Sequence, residues 1–354
     1  MTKAELDSIK ILPLEDSWYR RVKEKLDGIA KPLDGLGKFE HLIAQIGAIE
    51  KTTKISIQKK AVLVMCADNG VVEEQVSQSG KEVTLAVAKA MGVNNSSVGK
   101  MAAVAGVDVI PVDIGIDTDE VSPGVLPRKV AKGTKNFAKE PAMTEEEVLK
   151  AIETGIQLVQ QCHREGYEIL ATGEMGIGNT TTSTAVAAAL LDLEVEQVTG
   201  KGAGLTDEAL KRKCRVIKEA IEKYSLRDAD AFTILKTVGG LDIAGLTGVF
   251  IGAAIEQIPV IIDGVISAVA ALLAETLCKD AVNYMIPSHK SRELAETAIM
   301  KKLHLDPVLD ADMALGEGTG AVMMMSLLDV ALGVYLQGAS FANFEIEQYK
   351  RYEE

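Results

Sequence analysis

A single carboxylate, Glu317, stands among three glycines in the segment 315–321. Because glycine has no Cβ, a flat ligand could approach this carboxylate closely. The residues that follow, 322–328, favour a helix, so Glu317 would lie near a helix N-terminus, where negative charge is stabilised. A residue that only caps a helix would not need flanking glycines, which are poor helix formers. We therefore interpret Glu317 as a reactive carboxylate, with a capping role as the alternative.

A second glycine-rich segment has the composition of a phosphate-binding turn. Residues 173–183 contain three glycines and Glu174, and they precede a helix that we expect over 184–191. The N–H groups of such a turn, together with a helix N-terminus, can bind an anion. No Lys follows the last glycine, so the segment is neither a P-loop nor a dinucleotide fingerprint. The alternative is a turn capped by Asn179 or Thr180.

Further polar residues are expected at the ends of elements. A glycine cluster at 200–204 precedes a basic helix, in which Lys213 could supply the cation for a monophosphate. The alternative for these basic residues is a solvated helix face. Asp242, Asp263 and the residues of the segment Ser288–Ser291, taken singly, are more typical of turns or caps. Together the residues favour a site that holds a phosphorylated sugar and works with carboxylates.

The elements that must position these residues alternate from residue 61 onward between short apolar runs and helical stretches. This alternation predicts an α/β fold, with a doubly wound, mostly parallel sheet that carries helices on both faces, because the apolar runs lack polar alternation. Ligands bind such sheets beyond the carboxyl ends of the strands. The predicted strands are 61–67, 107–114, 168–172, 260–262 and 284–286.

The two ends of the chain have a different texture. Residues 4–50 predict two helices joined by a Pro- and Gly-containing loop at 31–37, and 320–337 predicts an apolar helix that packs on other helices. We therefore expect a small helical domain formed by 1–55 with 330–354, and an α/β catalytic domain formed by 56–329.

Composition excludes several classes of function. The chain has 354 residues and a formal net charge of -13, which disfavours nucleic acid as a partner. The four cysteines and four histidines are scattered, so we predict no metal site. The sequence suggests neither a membrane span nor a signal peptide, and the expected location is the cytoplasm.

Short motifs occur along most of the chain, and their order is informative. They are Lys31-Pro32, Leu36-Gly37, Val64-Met65-Cys66-Ala67-Asp68, the stretch 113–117, Gly173-Glu174, Gly176, Asn179-Thr180-Thr181, Val238-Gly239-Gly240, Thr247-Gly248, Ile286-Pro287-Ser288-His289 and Leu315-Gly316-Glu317-Gly318. In these motifs the sequence resembles a known family, the nicotinate-nucleotide:dimethylbenzimidazole phosphoribosyltransferases of cobamide synthesis.

The resemblance implies an α/β large domain, a small helical domain from both chain ends, and a dimer with its active site near the subunit interface. It implies no cofactor. It assigns Glu317 as the general base and Glu174 as a second catalytic acidic residue of the pocket. The substrate-binding residues that we expect are Gly176, Gly178, Asn179, Thr180, Gly202, Ala203, Lys213, Asp242, Asp263, Ser291, Met175, Leu315, Ser79 and Val87.

The implied substrates are nicotinate mononucleotide and an aromatic base. The pyridinium is already a good leaving group, so the remaining task is for Glu317 to take a proton from the incoming base.

Asn69, Gly80, Val87 and Met175 depart from residues common in the family. Relatives that activate phenol or p-cresol exist, so the acceptor is either a benzimidazole or a phenol. The assembly is either a homodimer or a heterodimer with a related subunit. Two rival interpretations are a non-catalytic partner subunit and a sugar-phosphate kinase. The sequence lacks the ATP-binding motif that such a kinase would need.

Overall fold

A parallel sheet forms the centre of the protein. The computed structural model describes residues 1–200, 202 and 204–351. Its strands are β1 (Lys60–Ala67), β2 (Val107–Gly115), β3 (Leu126–Pro127), β4 (Ile169–Met175), β5 (Val260–Ile262), β6 (Met285–Pro287), β7 (His289–Ser291) and β8 (Leu309–Met313). Within the described residues, six strands form one sheet in the order β3-β2-β1-β4-β5-β6, and β7 pairs with β8 separately. All of these pairings are parallel.

Helices connect the strands and form both ends of the chain. The α-helices are α1 (Lys3–Asp7), α2 (Asp16–Asp27), α3 (Lys38–Ile49), α4 (Glu82–Gly92), α5 (Ser97–Ala105), α6 (Glu145–Arg164), α7 (Asn179–Leu190), α8 (Val195–Val198), α9 (Asp207–Lys223), α10 (Ala231–Val238), α11 (Leu241–Glu256), α12 (Val265–Leu277), α13 (Leu294–Leu303) and α14 (Thr319–Gln337). Short 3₁₀ turns occur at Gly70–Glu74, Leu226–Asp228, Ala281–Tyr284 and Phe341–Phe344.

Strand β1 shows why the sheet must be covered on both faces. All of its residues are buried. Successive side chains of a strand point to opposite faces. Leu63 and Met65 belong to one apolar core, which includes α6, α7, α11 and α12, whereas Val62 and Val64 belong to a second core, which includes α3, α5 and α14. The predicted α/β class with helices on both faces is therefore confirmed.

The predicted strands are present, with small shifts at their ends, and three short strands were not predicted. β4 continues to Met175, so Glu174 lies in the strand and not in the loop after it. β3 has two residues, and the exposed β8 alternates acidic and apolar residues. Neither pattern distinguishes a strand from a turn, because length and apolar content are the main sequence signals for strands.

Helix α7 begins five residues earlier than the sequence predicts, at Asn179. Its first residues include three threonines and a serine, which have low helix propensity. Burial compensates, since Thr181, Thr182 and Ser183 are all enclosed by the protein. The hydroxyl of Thr182 also donates to the carbonyl of Asn179, at 2.9 Å. The glycine turn before α7 therefore shortens to 176–178.

The end of α2 and the loop after it lie against the C-terminal segment. Residues 1–55 form three helices in this fully described part of the chain, where the sequence predicted two. The Ala30 N–H donates to the carbonyl of Ala339 at 2.8 Å, and Arg351 forms ion pairs with Asp27 and Asp34, both at 2.7 Å. The division into two domains stays a prediction, and its boundary at 329/330 falls inside α14.

Helix α14 is long and apolar enough, by length and composition, to cross a membrane. More than half of its most apolar stretch is buried inside the protein. It packs against α5 and α3, and its Asp329 forms an ion pair with Lys60 of β1. These contacts are those of a core helix, and they agree with the predicted packing of this segment on other helices.

Candidate active site

An open cleft lies beyond the carboxyl ends of β4 and β5, where ligands bind in sheets of this kind. It has a volume of about 850 Å³, including the solvent space at its mouth. The N-terminal residues of α7 and α12 line it together with the segments 289–293 and 314–316. Helix N-termini carry partial positive charge and free N–H groups, so two of them at one cleft favour an anionic ligand. The predicted residues that line it are Glu174, Met175, Gly176, Asn179, Thr180, Gly202, Asp263, Ser291 and Leu315.

Buried carboxylates form the floor of this cleft. Glu174 and Asp242 both accept hydrogen bonds from the side-chain amide of Asn179, which lies 3.1 Å from Asp242 Oδ2. Asp242 itself is fully buried beside the cleft and does not line it. Gly176 lies against Asp242 and Asn69, and a Cβ at position 176 would be 2.8 Å from the Asp242 carboxylate. This glycine is therefore required by close packing.

Burial makes these carboxylates hard to ionise. It raises the pKa of Glu174 to about 8, with the nearby charges of Asp242, Asp263 and Glu317 acting in the same direction. Burial also raises the pKa of Asp242 and that of Asp263, each to about 6. A carboxyl group with a pKa of about 8 holds its proton at neutral pH. Glu174 can therefore donate a hydrogen bond to a ligand in the cleft.

We predict that Glu174→Gln keeps kcat/KM for the nucleotide within about tenfold of wild type at pH 7, since glutamine imitates the neutral acid, and tenfold equals about 1.4 kcal/mol. Steady-state kinetics with Glu222→Gln, an exposed change on α9, as the control would measure this. A loss greater than about 100-fold in Glu174→Gln at pH 7 would show that the ionised carboxylate is needed.

Asp263 holds the loop that carries Glu317. Its carboxylate oxygens accept from the N–H groups of Gly318, at 3.1 Å, and Ala321, at 3.0 Å. These N–H groups belong to the first turn of α14 and would otherwise lack partners. Asp263 therefore caps α14 from another part of the chain, and it fixes the position of Glu317 as well as lining the cleft.

The glycines around Glu317 fit against the protein itself. A Cβ at Gly316 would lie 2.7 Å from Glu174 Oε1, one at Gly318 would lie 2.6 Å from Val62, and one at Gly320 would overlap the ring of His289. Gly316 and Gly318 also have positive φ, as does Glu317 at +61°. Sequence reasoning interpreted these glycines as space for a ligand, whereas the structure shows that they let the loop pack tightly.

Glu317 is half-buried and its carboxylate reaches a helix other than the one it precedes. Glu317 Oε2 accepts from the N–H of Val98 at 3.0 Å, in the first turn of α5. The positive end of a helix dipole stabilises a carboxylate. Its main chain lies against the end of β4, since a Cβ at Gly173 would lie 2.7 Å from the Glu317 carbonyl oxygen. Glu317 does not itself line the cleft, but it directly follows Gly316, which does. An oriented carboxylate at this position is suited to accepting a proton.

Lys213 provides a buried cation directly behind Thr180, which lines the cleft. Its Nζ donates to Thr180 Oγ1 at 2.9 Å and to the Gly200 carbonyl at 3.3 Å. Burial lowers the pKa of Lys213 to about 8, and the negative charge of Glu293 opposes this shift. The helix that carries Lys213 is basic, as predicted, but this side chain points inward and is fully buried. Thr180, Lys213 and the start of α7, whose N-cap residue Gly178 has a φ of +93°, together form a group that could bind an anion, and we call this group the anion site.

The other predicted residues lie at the edge of this arrangement, away from it, or outside the described residues. Met175 lines the cleft, and Met175 and Val87 are each partly buried against the second apolar core. Leu315 is 53% exposed at the cleft. Ser79 lies in the loop before α4. Ala203 lies outside the residues that the structure describes.

Sequence reasoning gave no role to some residues of the cleft. Ser267 is buried in the first turn of α12, and its hydroxyl has no partner among the described residues. His289 is also buried, with Nδ1 2.9 Å from the Ser288 hydroxyl, and burial lowers the pKa of its imidazole. It lies in the segment 288–291, which was singled out as the end of an element. Glu293 contacts Gly200 and Gly202, and it was missed.

Comparison with known proteins places the chain in a family. A family described as phosphoribosyltransferase matches residues 11–346. A protein from Acetivibrio thermocellus named nicotinate-nucleotide–dimethylbenzimidazole phosphoribosyltransferase is 45% identical over 329 residues, which cover 93% of this chain and 94% of that protein. A protein of the same name from Clostridium acetobutylicum is 43% identical over 337 residues, which cover 95% and 96% of the two chains.

A solved structure gives the same result for the fold. The crystal structure of CobT from Thermus thermophilus is similar to this chain with a TM-score of 0.89 and 33% identity, and the match covers 94% of this chain and 100% of that one. The sequence and fold similarities extend over nearly the whole length of the chain. The resemblance recognised from the motifs is therefore confirmed, and the chain belongs to the family of nicotinate-nucleotide–dimethylbenzimidazole phosphoribosyltransferases.

Proposed function

We propose that this enzyme transfers the 5-phosphoribosyl group of nicotinate mononucleotide to an aromatic base, which gives an α-ribotide and nicotinate. The relatives named above carry the name of this reaction. The observation that supports the proposal most is that two charged groups adjoin one cleft: the Glu317 carboxylate, which is held by the Val98 N–H and follows the lining residue Gly316, and the Lys213 cation, which contacts the lining residue Thr180. A proton acceptor and a separate cation beside the same cleft suit a bound nucleotide and an incoming base.

The proposed reaction forms one bond and breaks one bond at C1′ of the ribose. The ring nitrogen of the acceptor attacks C1′, and the glycosidic bond to nicotinate breaks, with its electron pair neutralising the pyridinium. Glu317 accepts the proton from the other ring nitrogen of the acceptor. General-base assistance of this kind is worth about 10² to 10⁴ in rate. Attack from the face opposite the nicotinate inverts the β-linkage to an α-linkage.

Glu174 and Asp263 have supporting roles in this proposal. The protonated Glu174 donates a hydrogen bond to the ribose, and its burial maintains the neutral form. Asp263 holds the loop of Glu317 through the first turn of α14. The 5′-phosphate binds at Lys213, Thr180 and the N-terminus of α7, where the charges are complementary.

We propose 5,6-dimethylbenzimidazole, the base in the relatives' names, as the acceptor. The apolar surface formed by Met175, Val87 and Leu315 suits a flat ring. A phenol would also fit such a surface and would likewise give its proton to Glu317. The experiment below shows which of the two acceptors is preferred and whether activity needs a second subunit.

The test incubates the purified chain with nicotinate mononucleotide and either 5,6-dimethylbenzimidazole or phenol, and follows the release of nicotinate by chromatography. We expect release that depends on the added base, and faster release with the benzimidazole. Faster turnover with phenol would change the acceptor and keep the reaction type. Silence with every base would contradict the proposed activity, and activity only after addition of a second polypeptide would support the partner-subunit interpretation.

A further inference from the structure

The side chain of Glu293 lies among the groups that would hold the nucleotide phosphate. Glu293 Oε1 accepts from the N–H of Gly202 at 3.0 Å. A Cβ at Gly200 would overlap the other carboxylate oxygen, Oε2. Glycine at position 200 therefore leaves the space that this carboxylate occupies, and its backbone carbonyl accepts from Lys213.

The same few residues surround both Glu293 and the anion site. A Cβ at Gly202 would lie 3.0 Å from Thr180 Oγ1, which accepts from Lys213 Nζ. The charge of Glu293 also acts on Lys213, because it raises the pKa that burial lowers. A carboxylate has the charge sign and the acceptor geometry of a phosphate oxygen. Glu293 thus supplies negative charge where the phosphate would supply it.

Glu293 is placed so that its side chain has a second position available. It is the residue directly before α13, but its carboxylate makes no capping bond to that helix. Its backbone is fixed, since its N–H donates to Ser291 Oγ at 3.1 Å, whereas its side chain is half-buried. A carboxylate at this position is stabilised by the N-terminus of the helix that follows. Rotation away from Gly202 would therefore bring the charge to α13 at little cost.

From these contacts we propose that Glu293 is an internal competitor for the phosphate. Without nucleotide, its carboxylate accepts the hydrogen bond from the Gly202 N–H. The carboxylate moves away when the nucleotide phosphate binds, and it returns as the ribotide phosphate departs. This inference rests on the proposed function, in which Lys213 and Thr180 bind the phosphate. Glu293 thereby lowers the affinity for both nucleotides and speeds the release of product.

The test compares Glu293→Gln with wild type and with Glu222→Gln, an exposed change of equal charge on α9. Isothermal titration calorimetry measures the binding of nicotinate mononucleotide and of inorganic phosphate. We expect both to bind about tenfold more tightly to Glu293→Gln, because one charge-assisted hydrogen bond no longer competes. We also expect an unchanged single-turnover rate and a lower kcat. Glu222→Gln should behave as wild type.

The possible results separate this inference from the proposed function. Equal or weaker binding of inorganic phosphate by Glu293→Gln would overturn the inference even if the wild type is fully active. Tighter phosphate binding in an enzyme that releases no nicotinate would keep the inference for the anion site and contradict the proposed reaction. Glu293→Ala provides a second variant, and it should bind phosphate at least as tightly as Glu293→Gln. A slower single turnover in both variants would indicate a role in chemistry and count against simple competition.

Discussion

Replacing Glu317 by glycine is expected to lower the rate of nicotinate release by about 10² to 10⁴, the range that general-base assistance supplies. Glycine suits this position because residue 317 has a φ of +61°, which glycine adopts without strain. The change removes the carboxylate and leaves a small space beside the Val98 N–H. The nucleotide should still bind with nearly the wild-type KM, since the proposed anion site is formed by other residues, Lys213 and Thr180.

Chemical rescue makes this prediction specific to the proton transfer. Added formate can occupy the space that Glu317→Gly opens and accept the proton from the incoming base. We expect formate to restore part of the rate in Glu317→Gly and to leave the wild type unaffected. The measurement is nicotinate release as a function of formate concentration at constant pH and ionic strength.

A matched control for the backbone is available in the same chain. Glu345 is exposed and has a φ of +55°, so Glu345→Gly repeats the backbone change without removing the proposed base. This variant should keep wild-type activity, with or without formate. Full turnover in Glu317→Gly would assign the proton transfer to another group, and a large loss in Glu345→Gly would show that the glycine substitution acts through the fold.

The central strands could be predicted from the sequence because burial on both faces leaves a strong signal. Val62 and Leu63 face different cores but are both apolar, so β1 is a continuous apolar run. β7 and β8 lack such a signal, since each depends on contacts with distant parts of the chain. The early start of α7 was not predictable for the same reason: burial in the tertiary structure outweighs the low helix propensity of its threonines.

Many of the predicted site residues line one cleft, and their roles stay predictions. The physical reasons that the sequence suggested for them were less accurate. Glu317 was recognised from its glycines, yet those glycines pack against Glu174, Val62 and the His289 ring. The helix at which the Glu317 carboxylate lies is α5, more than 200 residues earlier in the chain. Glu293 was missed because it stands in a charged segment that resembles an ordinary helix start. Its contact with Gly202 joins residues 91 positions apart, and one sequence gives no sign of such a contact.

Lys213→Met is expected to raise the KM for the nucleotide about 10- to 100-fold, because a charge-assisted hydrogen bond is worth about 1.5 to 3 kcal/mol. Methionine is unbranched and flexible, so it can fill the fully buried position that Lys213 occupies. Lys211→Met, an exposed change on the same helix, is the control and should leave KM unchanged. Steady-state kinetics with varied nucleotide measures both variants.

The pH dependence of nucleotide binding provides an independent check on Lys213. Burial lowers the pKa of Lys213 to about 8, so the free enzyme carries this cation below about pH 8 and loses it above. Above that pH, binding of the phosphate must also take up a proton, and the Kd should rise about tenfold per pH unit. Lys213→Met should lack this rise, whereas Glu174→Gln should keep it, which separates Lys213 from Glu174, a carboxyl group that lines the cleft and also has a pKa of about 8. A Kd that rises equally in Lys213→Met and in wild type would remove Lys213 from the anion site, and with it the charge that the phosphate end of the cleft needs.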